Sequence, residues 1–134
     1  MTGAERRKRV LFVCVENCNR SQMAEAFARM FGEGRVEAYS AGSRPSGRVH
    51  PKAIVAMREL GYNLERHRSK GLWELPVVEF DVAVTMGCGD ECPALRAKRR
   101  EDWNIPCPKE MPPVQFRAVR DEIAERVKLL LTGL

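Results

Sequence analysis

Residues 10–21 read Val10-Leu11-Phe12-Val13-Cys14-Val15-Glu16-Asn17-Cys18-Asn19-Arg20-Ser21. The stretch opens on a continuous apolar run that ends at Cys14, and such a run is typical of a strand buried on both sides in a parallel sheet. A helical pattern begins near Arg20. The sequence therefore predicts a strand, a short loop and a helix start, with a thiol at one end of the loop and a fixed cation at the other.

This predicted loop suits a tetrahedral oxyanion. Free N–H groups and the dipole at a helix start favour negative charge, so we expect Cys14 to be largely thiolate at neutral pH. The loop N–H groups would surround the anion, Arg20 would bind two of its oxygens, and Ser21 would donate a hydrogen bond to the sulfur. The predicted substrate-binding residues are Val15, Glu16, Asn17, Cys18, Asn19, Arg20 and Ser21. The alternative is a buried thiol beside a solvated arginine, and the strand-loop-helix context favours the functional interpretation.

Length and composition fit one domain. The chain has 134 residues, of which 44% are hydrophobic and 31% charged, a composition that excludes a disordered or fibrous protein. We expect a basic N-terminal arm over residues 1–8 and a single α/β domain over residues 9–134. We further expect a monomer.

The charge balance suits an anionic partner, because the net charge is +5 and the pI about 9.2. Part of the excess lies in the run Arg6-Arg7-Lys8-Arg9, which has no interleaved aromatic residues. This pattern favours steering of a small anion over nucleic-acid binding. The first apolar stretch is too short for a signal peptide or a membrane span. Five cysteines, an odd number, favour thiol chemistry in the reducing cytoplasm over a disulfide framework.

Short apolar runs alternate with helical patterns along the chain. This alternation predicts an α/β fold of three layers, a four-stranded parallel sheet with helices on both faces. The predicted strands are residues 9–14, 35–40, 80–85 and 101–105. Predicted helices follow Arg20, open at His50-Pro51 with Ile54, Met57 and Leu60 inward, and begin near Pro113 with Phe116, Val119, Ile123, Val127 and Leu130 on one side. Ligands bind beyond the carboxyl ends of such strands, and both Cys14 and Cys88 follow strand ends.

The sequence also resembles a known family. The stretch from Val10 to Phe27, with Cys14 and Arg20-Ser21-Gln22-Met23-Ala24-Glu25, resembles the low-molecular-weight protein tyrosine phosphatase superfamily. The later motifs resemble the arsenate reductase branch of that superfamily. They are Ser40-Ala41-Gly42, Val49-His50-Pro51-Lys52-Ala53-Ile54 and Val84-Thr85-Met86-Gly87-Cys88-Gly89-Asp90-Glu91-Cys92-Pro93. The resemblance implies a flavodoxin-like strand order, reduction of arsenate to arsenite with phosphate or sulfate as substrate analogues, no bound cofactor and no metal.

The resemblance further implies a thiol relay. Cys14 attacks arsenate, Cys88 attacks the Cys14 sulfur and expels arsenite, and Cys92 attacks Cys88. A thioredoxin-type partner, or a low-molecular-weight thiol with a glutaredoxin-like partner, would supply the electrons. The spacing of Cys88 and Cys92 fits a disulfide on a helical turn, although Pro93 disfavours helical geometry at Cys92. Half of a zinc site is the structural alternative, and few further Cys or His ligands remain for it.

Three other residues have both a functional and a structural interpretation. The resemblance assigns Asn17 to holding the loop by hydrogen bonds, while a turn residue with unusual backbone angles is the other interpretation. Cys18 would present its backbone N–H, with its thiol a bystander. Glu25 fits either a residue of the site or a solvated surface acid.

Three positions depart from the family pattern. The segment Ile105-Pro106-Cys107-Pro108 has a thiol where family members carry a general-acid Asp, and a thiol is a poor acid for that role. A redox role for Cys107 stays open beside that of a small hydrophobic residue. Asn19 stands where many reductases have Cys. Lys70 stands where some members have an acid that helps bind potassium, and its ammonium would replace that ion, so we expect no alkali-metal requirement.

The sequence favours an arsenate reductase over two alternatives. One is a low-molecular-weight protein tyrosine phosphatase acting on phosphate monoesters, which the missing Asp at position 107 disfavours. The other is a non-enzymatic oxyanion sensor that binds the anion without consuming thiols.

Overall fold

Four parallel strands form the centre of the protein. The computed structural model describes residues 7–87 and 96–134. The described elements are, in chain order, β1 (Lys8–Cys14), α1 (Arg20–Phe31), β2 (Val36–Gly42), α2 (Pro51–Arg58), 3-10 helices at Leu64–Arg66 and Leu72–Glu74, β3 (Phe80–Thr85), β4 (Ala97–Asp102) and α3 (Pro113–Thr132).

The strand order is β2-β1-β3-β4. Strand β1 lies between two parallel neighbours, so that Val10 pairs with Ala38 of β2 on one side and with Val82 of β3 on the other. This central position explains why the sequence of β1 is apolar on both faces. The predicted fold class, a parallel α/β sheet in flavodoxin-like order, is confirmed. Because the strands are parallel, the carboxyl ends of β1 and β3 lie at the same edge.

The two faces of the sheet have separate cores. Val10 and Phe12 belong to the larger core, to which all three α-helices contribute. Leu11 and Val13 point to the opposite face, where they pack with the 3-10 helix at Leu72–Glu74 and the residues that follow it. Alternate residues of β1 thus serve opposite cores, as the period of a strand requires.

Strand β4 is displaced from the prediction, which placed it at residues 101–105. Its observed range is Ala97–Asp102, and it pairs with β3 as an end strand of the sheet. Charged residues therefore dominate β4, and it contains no apolar run from which a strand could be predicted. Trp103 and Ile105, which suggested a strand, are buried just after it ends.

The second helix is shorter than predicted, and one of its expected core residues is exposed. α2 ends at Arg58, and Leu60 lies beyond it with 41% of its surface exposed. Met57 is buried as expected and Ile54 is partly buried. For α3 the expected inward residues are all buried, namely Phe116, Val119, Ile123, Val127 and Leu130. No helix within the described ranges 7–87 and 96–134 is long and apolar enough to cross a membrane.

Candidate active site

The loop between β1 and α1 turns its carbonyl groups outward. The segment 44–50, which follows β2, runs alongside the loop and donates three backbone hydrogen bonds to it. These are Arg44 N to Val15 O at 2.8 Å, Ser46 N to Glu16 O at 3.0 Å and His50 N to Cys18 O at 3.0 Å. The remaining loop carbonyls are also occupied, because Gln22 Nε2 donates to Asn17 O and Met23 N donates to Asn19 O.

This arrangement aims the loop N–H groups at a common centre. In a planar trans peptide the C=O of one residue and the N–H of the next point in opposite directions. Since the carbonyls of residues 15–19 are bonded outside the loop, the N–H groups of residues 16–20 face its interior. A ring of inward N–H groups at a helix start is an anion-binding nest.

The Cys14 sulfur lies at the base of this nest. Its side chain is buried, and Sγ is 2.9 Å from the Ser21 hydroxyl. Asn17 Nδ2 donates to the same hydroxyl at 2.7 Å. The Ser21 hydroxyl accepts from Asn17 and can also donate its own proton to the Cys14 sulfur.

Asn17 holds the loop by several hydrogen bonds. It is fully buried and has a φ of 50°, which places it in the left-handed region that Asn tolerates. Its Oδ1 accepts from Gln22 Nε2 and from Lys70 N, both at 2.9 Å. Asn17 therefore makes hydrogen bonds of the kind that the resemblance implies, and it also has the unusual backbone angle of a turn residue.

Arg20 connects the loop to two distant segments. Its Nη1 donates to the Ile105 carbonyl at 2.9 Å, and its Nε is buried without a partner among the described residues. A donor without a partner in a pocket of this kind is available to an anion. Gly87 lies against the same guanidinium, because a Cβ there would be 2.9 Å from Nη1, and its φ of +76° also favours glycine.

The resulting pocket has a volume of about 180 Å³. It is lined by Cys14, Val15, Glu16, Cys18, Asn19, Arg20 and Cys107. The structure thus brings most of the predicted loop residues together with the exposed thiol of Cys107, whereas Asn17 and Ser21 do not line the pocket. Burial and the neighbouring Cys14 and Glu16 raise the pKa of the Cys18 thiol to about 12, which disfavours the reactive thiolate form. This agrees with the bystander role predicted for that thiol.

A buried carboxylate lies behind the loop. Glu25 is 3% exposed, so the expectation of a possible surface acid is wrong for this residue. Its carboxylate accepts a hydrogen bond from Ser40 Oγ at 2.5 Å, pairs with Arg29 at 2.6 Å and lies 3.8 Å from Lys70 Nζ. Burial lowers the pKa of Lys70, and the nearby Glu25 opposes that shift.

The Lys70 ammonium lies within a set of oxygen atoms. Nζ donates to Ser40 Oγ at 3.5 Å and to the Arg68 carbonyl at 3.1 Å, besides its approach to Glu25. Oxygen ligands of this kind suit a small hard cation. The Lys70 ammonium therefore lies among oxygen atoms beside the loop, and its replacement of an alkali-metal ion stays a prediction.

Some of the supporting residues were not predicted. Gln22 Nε2 donates to three oxygens, which are Asn17 O, Asn17 Oδ1 and Arg68 O. Gln22 Oε1 contacts His67 Nδ1 at 2.9 Å. The sequence signal for this role is the position of Gln22 two residues after Arg20, on the first turn of α1. His67 gave no local signal, because its contacts are long-range. Among residues 7–87 and 96–134 no group of three or more His, Cys, Asp or Glu residues could hold a metal ion.

Two predicted catalytic residues fall outside this description. Cys88 and Cys92 lie outside the described residues. The described part of β3 and the turn after it lead to Gly87 beside Arg20, which is the position immediately before Cys88 in the sequence.

Comparison with known proteins gives consistent matches over nearly the whole chain. The family model described as low molecular weight phosphotyrosine protein phosphatase matches residues 9–134. A protein of Synechocystis sp. named glutaredoxin arsenate reductase is 37% identical over 130 residues, which cover 95% of this chain and 98% of that protein.

Two solved structures are similar as well. One, described as an arsenate reductase in the phosphate binding state, has a TM-score of 0.86 and 36% identity, covering 94% of this chain and 98% of that one. The other, a thioredoxin-dependent arsenate reductase of Corynebacterium glutamicum, has a TM-score of 0.78 and 31% identity. It is matched over 97% of this chain and 63% of its own length.

Proposed function

Because the chain belongs to the low-molecular-weight phosphotyrosine protein phosphatase family, we propose that it is an arsenate reductase of this family. The observation that carries the proposal is the pocket itself. It combines a buried Cys14 sulfur, inward N–H groups and Arg20 with a further thiol, Cys107, on its wall. The relatives at 36–37% identity, which are named as arsenate reductases, support the same substrate.

The proposed first step forms a covalent adduct. Arsenate binds in the nest with its oxygens on the loop N–H groups and on Arg20, which places arsenic next to the Cys14 sulfur. The thiolate attacks arsenic and water leaves. The donors that hold the bound anion are fixed in advance by the outward carbonyl bonds, so the loop needs little reorganisation as charge develops.

The proposed second stage transfers two electrons. Cys88 attacks the Cys14 sulfur, the sulfur–arsenic bond breaks, and its electron pair stays on arsenic as arsenite leaves. Cys92 then attacks Cys88, which frees Cys14 and leaves a Cys88–Cys92 disulfide. Gly87, which immediately precedes Cys88 in the sequence, lies against Arg20.

The reductant completes the cycle. We propose a thioredoxin-type protein, or a low-molecular-weight thiol with a glutaredoxin-like partner, as the source of electrons. The names of the relatives support both options, since one is called a glutaredoxin arsenate reductase and another thioredoxin-dependent. Such a cycle needs a compartment that keeps thiols reduced, so we place the protein in the cytoplasm.

The test is a thiol count. Fully reduced protein is mixed with arsenate, arsenite is measured, and disulfides are mapped by mass spectrometry. We expect two thiols to disappear for each arsenite formed, with a Cys14–Cys88 or Cys88–Cys92 bridge. Cys14→Ser should form no arsenite. Arsenite formed by this variant would remove Cys14 from the mechanism.

The same preparation distinguishes the phosphatase alternative. Hydrolysis of an aryl phosphate needs the Cys14 nucleophile but no second thiol. Strong aryl phosphate turnover by a Cys88→Ser variant, with no thiols lost on adding arsenate, would favour a phosphatase. Phosphate binding without either reaction would favour an oxyanion sensor.

A further inference from the structure

A second cavity of about 230 Å³ adjoins the oxyanion pocket. The two share a wall made by Glu16 and Cys18. The far side of the second cavity carries Arg48, His50 and Lys109. We call it the basic cavity, and it has no role in the steps described above. Together the two cavities reach the range of roughly 300–1,000 Å³ that is typical of small-molecule sites.

The basic cavity has positive character. Arg48 has no carboxylate partner among the described residues, and Lys109 pairs with Glu16 at 3.4 Å. His50 Nδ1 accepts a hydrogen bond from Lys52 N at 3.1 Å, so the neutral ring carries its proton on Nε2 and presents a donor. The pKa of His50 is lowered by burial and then by the cations Lys52, Lys109 and Arg48, which shows how closely the positive charges surround it.

The walls of the basic cavity are fixed by the same contacts that shape the loop. Ser46 N and His50 N bond to loop carbonyls, and Gly47 N donates to Ser69 Oγ at 3.2 Å. Lys52 Nζ donates to the Lys109 carbonyl at 2.9 Å, which positions the segment that carries Lys109. The walls of the basic cavity are therefore held in a fixed position relative to the oxyanion loop.

We propose that the basic cavity binds the carboxylates of a low-molecular-weight thiol and directs its sulfur at the Cys14 adduct. This inference rests on the proposed function. The cavity is a recess next to the oxyanion pocket, which suits a small anionic thiol better than the surface of a folded protein. Its cations match carboxylates, and it shares Glu16 and Cys18 with the pocket that contains Cys14.

The chemical step balances as follows. The small thiolate takes the place of Cys88 and attacks Cys14 Sγ, a sulfur–sulfur bond forms, and the sulfur–arsenic bond breaks with its electron pair staying on arsenic. Arsenic goes from the +5 to the +3 state, and each of the two sulfurs is oxidised by one electron. The proton released when the small thiol ionises ends on an arsenite oxygen. The product on the protein is a mixed disulfide at Cys14.

The test compares glutathione with its diethyl ester, which keeps the thiol and lacks the carboxylates. Arsenite formation is measured for the wild type, Arg48→Ala and Lys109→Ala, with Arg35→Ala and Lys128→Ala as controls on other surfaces. We expect each cavity variant to raise the KM for glutathione about tenfold, the usual effect of losing one charge-assisted hydrogen bond. Neither cavity variant should change the KM for the ester, and neither control should change the KM for glutathione. Mass spectrometry should find one glutathionyl group on Cys14 of the Cys88→Ser protein.

Three outcomes would overturn the proposal. Equal use of glutathione and its ester by the wild type would show that no carboxylate is bound. Cavity variants with an unchanged KM for glutathione would place the thiol elsewhere, and variants impaired only with a thioredoxin-type protein would assign the surface to a protein partner. Each of these leaves arsenite formation with dithiothreitol intact. The complete absence of arsenite with every thiol would instead contradict the proposed function.

Discussion

At the scale of single residues, Lys70 shows how one side chain brings a positive charge to a buried carboxylate. The side chain is 19% exposed and its Nζ lies among the oxygens of Glu25, Ser40 and Arg68. A buried carboxylate needs a compensating cation. Glu25 has Arg29 on one oxygen, and Lys70 approaches the other. We propose that the attached ammonium takes the place that a free metal cation would otherwise fill.

The first prediction concerns the response to alkali metals. We expect arsenite formation by the wild type to be the same in potassium and sodium buffers. Lys70→Ala should lower kcat/KM roughly tenfold, because Glu25 keeps only Arg29 and its charge acts on the adjoining loop. Steady-state rates in the two salts provide the measurement. Lys98→Ala, at the opposite end of the sheet beside Asp81, is the control. A wild type that needs potassium would contradict this role of Lys70.

Residues of the site differ in how far the sequence predicts them. Asn17, Arg20 and Ser21 lie within one short segment, so their mutual geometry follows from the local strand-loop-helix pattern. The burial of Glu25 does not, because it depends on contacts with Ser40 and Lys70 from other parts of the chain. Local patterns carry no information about such long-range partners.

At the scale of elements, the end of β2 determines the shape of the oxyanion loop. Gly42 is the last residue of β2 and pairs with Cys14. A Cβ at Gly42 would overlap the Val15 carbonyl oxygen and lie 2.9 Å from the Cys14 carbonyl oxygen. The loop backbone therefore approaches the strand as closely as it does because residue 42 has no side chain.

The second prediction follows from this close contact. Gly42→Ala should lower the free energy of unfolding by about 1–3 kcal/mol, the usual cost of overpacking. It should also weaken phosphate binding, because the loop must move away from its outward hydrogen bonds. Urea unfolding and isothermal titration with phosphate give the two readouts.

Gly133→Ala is the matched control for this prediction. Its Cβ would lie 3.6 Å from the nearest atom, the Leu130 carbonyl oxygen, which is an ordinary contact. We expect little change in stability and none in phosphate binding. A Gly42→Ala protein as stable as the control, with unchanged phosphate affinity, would show that the loop does not depend on this contact.

Elements were predicted well where they are buried and poorly where they lie at an edge. Strand β3 has the predicted bounds, since its apolar run lies between two neighbours. The predicted range of strand β4 lies too far along the sequence, because an end strand needs few apolar residues. The nearest large apolar residue, Trp103, follows the end of the strand. Similarly, Leu60 fits the helical period of α2 but follows its last turn.

At the scale of the whole molecule, distant parts of the chain meet around a short loop. The segment 44–50 and residues 67–70 hold it from outside, and Ile105 holds the guanidinium of Arg20. The parallel sheet makes this convergence possible, because it brings the carboxyl ends of successive strands to one edge. The sequence predicts the edge, whereas the particular contacts emerge only from packing.

His67 links this arrangement to global stability. Its side chain is 7% exposed. Nδ1 donates to Gln22 Oε1 at 2.9 Å, and Nε2 accepts from the Tyr62 hydroxyl at 2.6 Å. The neutral ring satisfies both contacts. Burial lowers the pKa of His67; the nearby Arg29 and Lys70 add to this shift, while Glu25 opposes it.

The third prediction is a loss of stability on mild acidification. The unfolded chain takes up a proton at His67 as the pH falls through about 6.5, while the folded protein keeps the ring neutral to lower pH. Proton uptake by the unfolded state favours unfolding, so the stability is fully present above about pH 6.5 and declines below it. We expect the urea midpoint to fall between about pH 7.5 and about pH 5.5, and to fall less in His67→Gln. His50→Asn, which keeps a side chain able to cap α2, separates the contribution of the other histidine. Equal pH dependence of the wild type and His67→Gln would contradict this prediction. It would mean that His67 has the same proton affinity in the folded and unfolded chains. The contacts with Gln22 and Tyr62 would then not favour the neutral ring.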